Sequence, residues 1–212
     1  MSTATGPGDA AADPVARVSN WNVANYLTVF RLVLVPVFTV LLLAKDGDSE
    51  GLRVAATVVF ALASYTDRVD GQLARSRGLV TSFGKLVDPI ADKALIGAAL
   101  IGLSVLDELP WWVTVVVLVR ELGVTLLRFW VIRHGVIPAS RGGKLKALLQ
   151  ALAIGFYLLP LTGLLATGRA VFMAVAVGVT VVTGIDYVAR AVTLRRTSER
   201  AAMKRARKLA KG

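Results

Sequence analysis

The chain contains no cysteine, which excludes a disulfide framework, a thiolate zinc site and a cysteine nucleophile. Its single histidine, His134, excludes a histidine-rich transition-metal centre. Hard cations held by carboxylates are therefore the default metal chemistry. Charge is also scarce, at 18% of 212 residues, against 55% hydrophobic residues and a mean hydropathy of +0.64. That balance excludes an ordinary soluble globular domain. A membrane span takes roughly 20 apolar residues, so six spans consume about 120 positions and leave no room for a separate soluble domain.

What is present is a series of apolar stretches, at approximately 26–44, 52–74, 84–105, 110–132, 145–166 and 170–192. They predict an all-α, polytopic integral membrane protein with six transmembrane helices over residues 22–194. Residues 1–21 carry Gly6, Pro7, Gly8 and Pro14 among small and polar residues. They are expected to form a disordered tail, and they lack the basic start and apolar core of a signal peptide. Lys and Arg gather in the loops after the second and fourth stretches (Arg75, Arg77 and Lys85; Arg133, Arg141, Lys144 and Lys146), whereas the other loops hold Lys45, Arg53 and Arg169. Both termini are thus expected on the cytoplasmic side. Residues 190–212 hold nine Lys or Arg against Glu199, so +8 of the net charge of +11 sits at this end. With no aromatic residue interleaved for base stacking, residues 195–212 read as a basic cytoplasmic tail facing anionic headgroups, and nucleic acid is not an expected partner.

Six of the fourteen acidic residues fall within or at the ends of the apolar stretches: Asp67, Asp70, Asp88, Asp92, Glu121 and Asp186. An isolated carboxylate at mid-bilayer costs roughly 2.5–3.5 kcal/mol on insertion scales, so the four clustered aspartates need compensation. Asp67, Asp70, Gly71, Ala74 and Arg75 fall on one stripe of a helix, and Gly84, Asp88 and Asp92 follow at i+4 steps on the next. Two antiparallel helices joined by a short loop can bring these stripes face to face. Four carboxylates can then hold two divalent cations, magnesium or manganese, which activate a nucleophile and neutralise a phosphate. Gly71, Ala74 and Gly84 leave room for a ligand, although small residues also serve plain helix packing.

The run Asp67-Arg68-Val69-Asp70-Gly71-Gln72-Leu73-Ala74-Arg75, followed by Gly84, Asp88 and Asp92, resembles the signature of the CDP-alcohol phosphotransferase family. The resemblance covers roughly Asn22 to Arg190. Asn25-Tyr26-Leu27-Thr28 with Arg31, Asp88-Pro89-Ile90-Ala91-Asp92-Lys93, Arg120-Glu121-Leu122, and Pro138-Ala139-Ser140 with Gly143-Lys144-Leu145-Lys146 resemble its phosphatidylglycerophosphate-forming branch. The resemblance implies a six-helix membrane enzyme that moves a phosphatidyl group from CDP-diacylglycerol to sn-glycerol 3-phosphate and releases CMP. It implies Asp67, Asp70, Asp88 and Asp92 as metal ligands, with Asp92 also the general base. Arg75 would meet the donor diphosphate, while Gly71, Ala74 and Gly84 would admit the CDP moiety. The resemblance also suggests a homodimer. Arg68 departs from the pattern, since an aromatic or apolar residue is expected between the first two aspartates.

An anionic acceptor needs its own cationic pocket, and Arg120, Arg128, Arg141, Lys144 and Lys146 are the candidates. The planar arginine fork suits phosphate, although the same residues satisfy the positive-inside rule and snorkelling. Glu121 and Asp186 are expected to pair with such cations. His134 reads as a solvated loop residue, Trp111 and Trp112 as an interfacial belt, and Pro36, Pro89 and Pro160 as helix kinks. Other acceptors, giving cardiolipin or an inositol phospholipid, remain alternatives. A cation transporter is a further one, since carboxylates within spans also line ion paths.

Overall fold

A computed structural model describes residues 23–76, 82–131 and 141–209. All regular structure among them is helical: α1 (Val23–Leu43), α2 (Glu50–Ser76), α3 (Ser82–Val105), α4 (Trp111–Val131), α5 (Arg141–Leu158) and α6 (Leu164–Leu209), with a single 3-10 turn over Ala44–Gly47. The tail expected to be disordered, residues 1–21, lies outside the described residues, as does His134. Among the described residues, two helical segments are long and apolar enough to cross a membrane, Tyr26–Gly47 and Leu164–Arg195.

The apolar stretches become helices close to their expected bounds, with two differences. Pro160 does not kink a helix: α5 stops at Leu158. A proline lacks the N–H that would continue the ladder and drives the residue before it out of the α region. Pro36, by contrast, lies inside α1. The last helix is longer than its apolar stretch, because α6 runs unbroken for 46 residues to Leu209, through most of the segment expected as a basic tail. Ala, Arg and Lys dominate its end and are strong helix formers.

Helix α1 packs against α2 and α3, α5 against α6 and α2, and α4 against α6 and α3. Phe38 and Leu42 of α1, Phe60 of α2, and Leu95, Leu100 and Leu103 of α3 are buried with Ile154 and Leu158 of α5 in one apolar core. Many large apolar side chains remain exposed along the outside, among them Val40, Leu62, Val119, Leu126, Phe129 and Ile185. An apolar exterior around a packed interior is what a lipid solvent permits and water does not. Trp111 and Trp112 are exposed at the start of α4, where interfacial aromatics belong.

The three short connections meet at one end of the bundle. Gly47, at φ +75°, turns the chain between α1 and α2, and a Cβ there would lie 2.8 Å from Leu106 Cδ1 in the α3–α4 link. Only glycine meets both demands. Beside it, Arg53 of α2 donates to the carbonyls of Tyr157 (2.8 Å) and Leu158 (3.3 Å) and pairs with Glu108. Arg169 of α6 donates to the second oxygen of Glu108 at 2.7 Å and stacks 4.8 Å over the Tyr157 ring. Arg53 thereby caps the buried carbonyls that end α5 and have no partner within the helix, and a single carboxylate ties α2 and α6 to the α3–α4 link. Burial alone would raise the Glu108 pKa. The hydrogen bond and charge of Arg53, with the charge and hydrogen bond of Arg169, outweigh it and hold the carboxyl below its ordinary value.

Candidate active site

By chain direction, the opposite end of the bundle receives the second half of α2 and the first halves of α3 and α5. Helices α2 and α3 are continuous through Asp67 and Asp70 and through Asp88 and Asp92, respectively. Spacings of three and four residues put each pair on one face of its helix. The backbone at these positions is described, but the side chains of Asp67, Arg68, Asp70, Gln72, Arg75 and Asp88 lie outside the described residues, as do the surroundings of Gly71, Ala74 and Gly84.

Asp92 is the described member of the quartet, and it opens onto a cavity of about 130 Å³. Four helices line this space: α2 through Ser64, α3 through Asp92, Lys93 and Ile96, α4 through Leu118, Glu121 and Leu122, and α5 through Lys146, Ala147, Gln150 and Ala151. The size suits a small polar molecule or a group of waters. Lys146 is buried with only 6% exposure and donates a hydrogen bond to Glu121. A buried ammonium without such a partner would be strongly disfavoured. A second, apolar groove of about 300 Å³ runs between α2 and α5, past Phe60, Tyr65, Leu152 and Phe156. It shares Ser64 and Ala151 with the polar cavity.

The five expected acceptor cations divide. Lys146 lines the cavity, while Arg120 turns toward α6, donating to Thr180 O and Thr183 Oγ1 at 3.2 Å each and reaching Glu121 Oε1 at 3.2 Å. A Cβ on Gly184 would come within 3.0 Å of Arg120 Cγ, so the close approach of α6 holds this side chain. Glu121 thus joins Lys146 of α5 to Arg120 of its own helix, and the bonds of Arg120 carry the chain of contacts on to α6. Arg128 and Lys144 are exposed, and the Arg141 side chain lies outside the described residues. Asp186 pairs with Arg190 one turn along α6 at 2.9 Å, the partnering expected of it. Thr28 and Arg31 of α1 are buried.

Three polar cavity residues carried no role in the sequence reading: Ser64, Lys93 and Gln150. The available signal for Gln150 is its place four residues after Lys146, a polar side chain within the apolar run Ala147–Leu158 of α5.

Comparison with known proteins agrees with this chemistry. The model of the CDP-alcohol phosphatidyltransferase family matches residues 21–182; that family is membrane-associated and generally dependent on divalent cations. A protein of Mycobacterium tuberculosis (strain H37Rv) named probable phosphatidylglycerophosphate synthase is 59% identical over 177 residues, covering 84% of each chain. Proteins named CDP-diacylglycerol--glycerol-3-phosphate 3-phosphatidyltransferase are also similar. That of Bacillus subtilis is 39% identical, over 66% of this chain and 77% of its own. That of Rickettsia felis is 37% identical, over 78% and 93%.

Proposed function

The chain belongs to the CDP-alcohol phosphatidyltransferase family, and we propose that it transfers the phosphatidyl group of CDP-diacylglycerol to sn-glycerol 3-phosphate, giving phosphatidylglycerophosphate and CMP. The observation that carries this reading is the polar cavity in which Asp92 of α3 and the buried Lys146 of α5 both open. It offers a base and a cation to one small molecule. The acceptor is a phosphate with a primary hydroxyl, and it needs both. The names of the similar proteins support the same donor and acceptor.

In this reading six helices span the bilayer, both termini are cytoplasmic and the cavity opens to the cytoplasm. Arg75 meets the donor diphosphate, and Gly71, Ala74 and Gly84 admit the CDP moiety. The acyl chains stay in lipid, and the apolar groove between α2 and α5 lies where one of them can leave the polar site.

The donor set fits divalent cations. Asp67 and Asp70 on α2, with Asp88 and Asp92 on the adjoining α3, supply only carboxylate oxygen, the ligand preferred by magnesium and manganese. Bound there, such cations would polarise phosphoryl oxygens and neutralise developing charge. Lys146 holds the acceptor phosphate, with Arg128, Arg141 and Lys144 extending the positive field toward the cytoplasm and Arg120 supporting Glu121. Asp92 takes the proton of the primary hydroxyl as its oxygen attacks the phosphorus on the diacylglycerol side. A phosphoester bond forms, the diphosphate bond breaks, and CMP leaves with its electron pair. Much of the rate enhancement in such a transfer comes from positioning and electrostatics.

The test is CMP release by the purified protein in detergent with CDP-diacylglycerol and magnesium, with and without glycerol 3-phosphate. Release that requires the acceptor and is lost in Asp92→Asn is the expected result. Release only with a different alcohol would leave the family in place and reject the acceptor, and no release with any acceptor would reject the transferase reading.

A further inference from the structure

We propose that Gln150 is a specificity-determining residue that reads the secondary hydroxyl of the acceptor. This rests on the glycerol 3-phosphate reading above and assigns one more group of that substrate to a side chain. Gln150 lines the same cavity as Asp92 and Lys146. It is only 4% exposed, and its Oε1 is buried with no hydrogen-bond partner among the described residues. Buried polar atoms are satisfied in the great majority of cases, and leaving one unmet is costly. Gln150 borders the cavity while this unmet oxygen is closed off from solvent, so a donor group reaches it when the carboxamide turns toward a ligand that fills the space.

The chemistry of the atom selects the ligand group. A carboxamide oxygen accepts and does not donate, so it repels phosphate oxygens and takes a hydroxyl. On glycerol 3-phosphate the primary hydroxyl gives its proton to Asp92, and the phosphate goes to Lys146. The secondary hydroxyl is the donor that remains. Gln150 follows Lys146 by four residues on α5, one turn or about 6 Å along the same face. That spacing lets neighbouring side chains hold neighbouring groups of a three-carbon molecule. The stretch is also stiff, because α5 packs on α2, α3 and α6. A site built to hydrogen-bond a hydroxyl rejects an analogue that lacks it.

The experiment compares sn-glycerol 3-phosphate with 3-hydroxypropyl phosphate, which keeps the primary hydroxyl and the phosphate but has no secondary hydroxyl. The readout is the ratio of kcat/KM for the two in CMP release. The wild-type protein is expected to prefer glycerol 3-phosphate by about 10-fold or more. In Gln150→Met, of similar length and no acceptor oxygen, the ratio should fall to within about 3-fold, with KM for CDP-diacylglycerol unchanged. Gln150→Asn, which withdraws the oxygen by one methylene, should lower the ratio in the same direction. A preference that survives in either folded variant overturns the proposal. So does a wild-type protein that uses the two acceptors equally, whatever the variants do. Absence of wild-type turnover with glycerol 3-phosphate is a different outcome, since it rejects the acceptor itself.

Discussion

Lys146 of α5 donates a hydrogen bond to Glu121 of α4, and each is the compensating charge of the other in a largely buried setting. Removing one partner of such a pair strands the remaining charge, whereas removing both leaves no unpaired charge between the two positions. Glu121→Gln should therefore destabilise the detergent-solubilised protein by up to ~3 kcal/mol. The double variant Glu121→Gln with Lys146→Met should lose less than the single Glu121→Gln. Thermal melting of the two singles and the double measures the coupling, and simple additivity would show that the pair is not mutually compensating.

Kinetics separate the structural part of Lys146 from its part in binding. If its ammonium holds the acceptor phosphate, Lys146→Met should raise KM for glycerol 3-phosphate by about 10-fold or more and leave KM for CDP-diacylglycerol little changed. Lys146→Arg keeps the charge in a bulkier fork and should recover part of the loss. Equal increases in the two KM values would point to a general disturbance of the cavity.

Asp92 is expected to act on the rate constant. Asp92→Asn keeps the shape and removes the basic oxygen, so kcat should fall by about 100- to 10,000-fold. The other aspartates are separable by their metal dependence. Asp67→Asn or Asp88→Asn should raise the magnesium concentration needed for half-maximal activity. A magnesium titration of each variant checks this, and unchanged curves would remove these two from the metal ligands.

The helices were legible because apolar runs of membrane length are long signals, and the ends of α2, α3 and α4 fall within about two or three residues of the expected bounds. The end of α5 was misjudged because Leu159-Pro160-Leu161 is as apolar as the helix before it; the proline decides, and hydropathy does not register it. In the site, Asp92 was legible as a charge inside an apolar stretch and Lys146 as one of the loop cations that an anionic acceptor calls for; that the two line one cavity emerges only from the packing of the helices. That Arg120 turns to α6 was not legible, since it depends on the absent side chain of Gly184, 64 residues away. The Arg53–Glu108–Arg169 cluster was likewise hidden. Its members are far apart in sequence and meet only because three short connections share one end of the bundle.

That cluster predicts a pH dependence of stability. Glu108 is held below its ordinary carboxylate value, so its contribution to stability is fully present above the unfolded value of about 4.3. The contribution is lost as pH falls through the lower folded value. Glu108→Gln should melt at a lower temperature than wild type at pH 7, and the difference should shrink steadily as the pH is taken below about 4. Melting curves from pH 7 to pH 3 provide the comparison. A constant difference would mean that the charge of Glu108 is not what holds the connections together.

The lack of cysteine makes the proposed topology directly testable, because any thiol introduced is the only one present. Asp48, exposed beside the α1–α2 turn, belongs to the end where the Arg53 cluster sits, and Lys211 follows the end of α6. In the proposed topology the six spans put the two chain termini on one side, and the positive-inside rule assigns that side to the cytoplasm. In intact cells a membrane-impermeant maleimide should label Asp48→Cys, while Lys211→Cys should react only after permeabilisation. Labelling of Lys211→Cys in intact cells would invert the orientation. It would also place the cavity away from the cytoplasm and its glycerol 3-phosphate, so the acceptor assignment would fall with it.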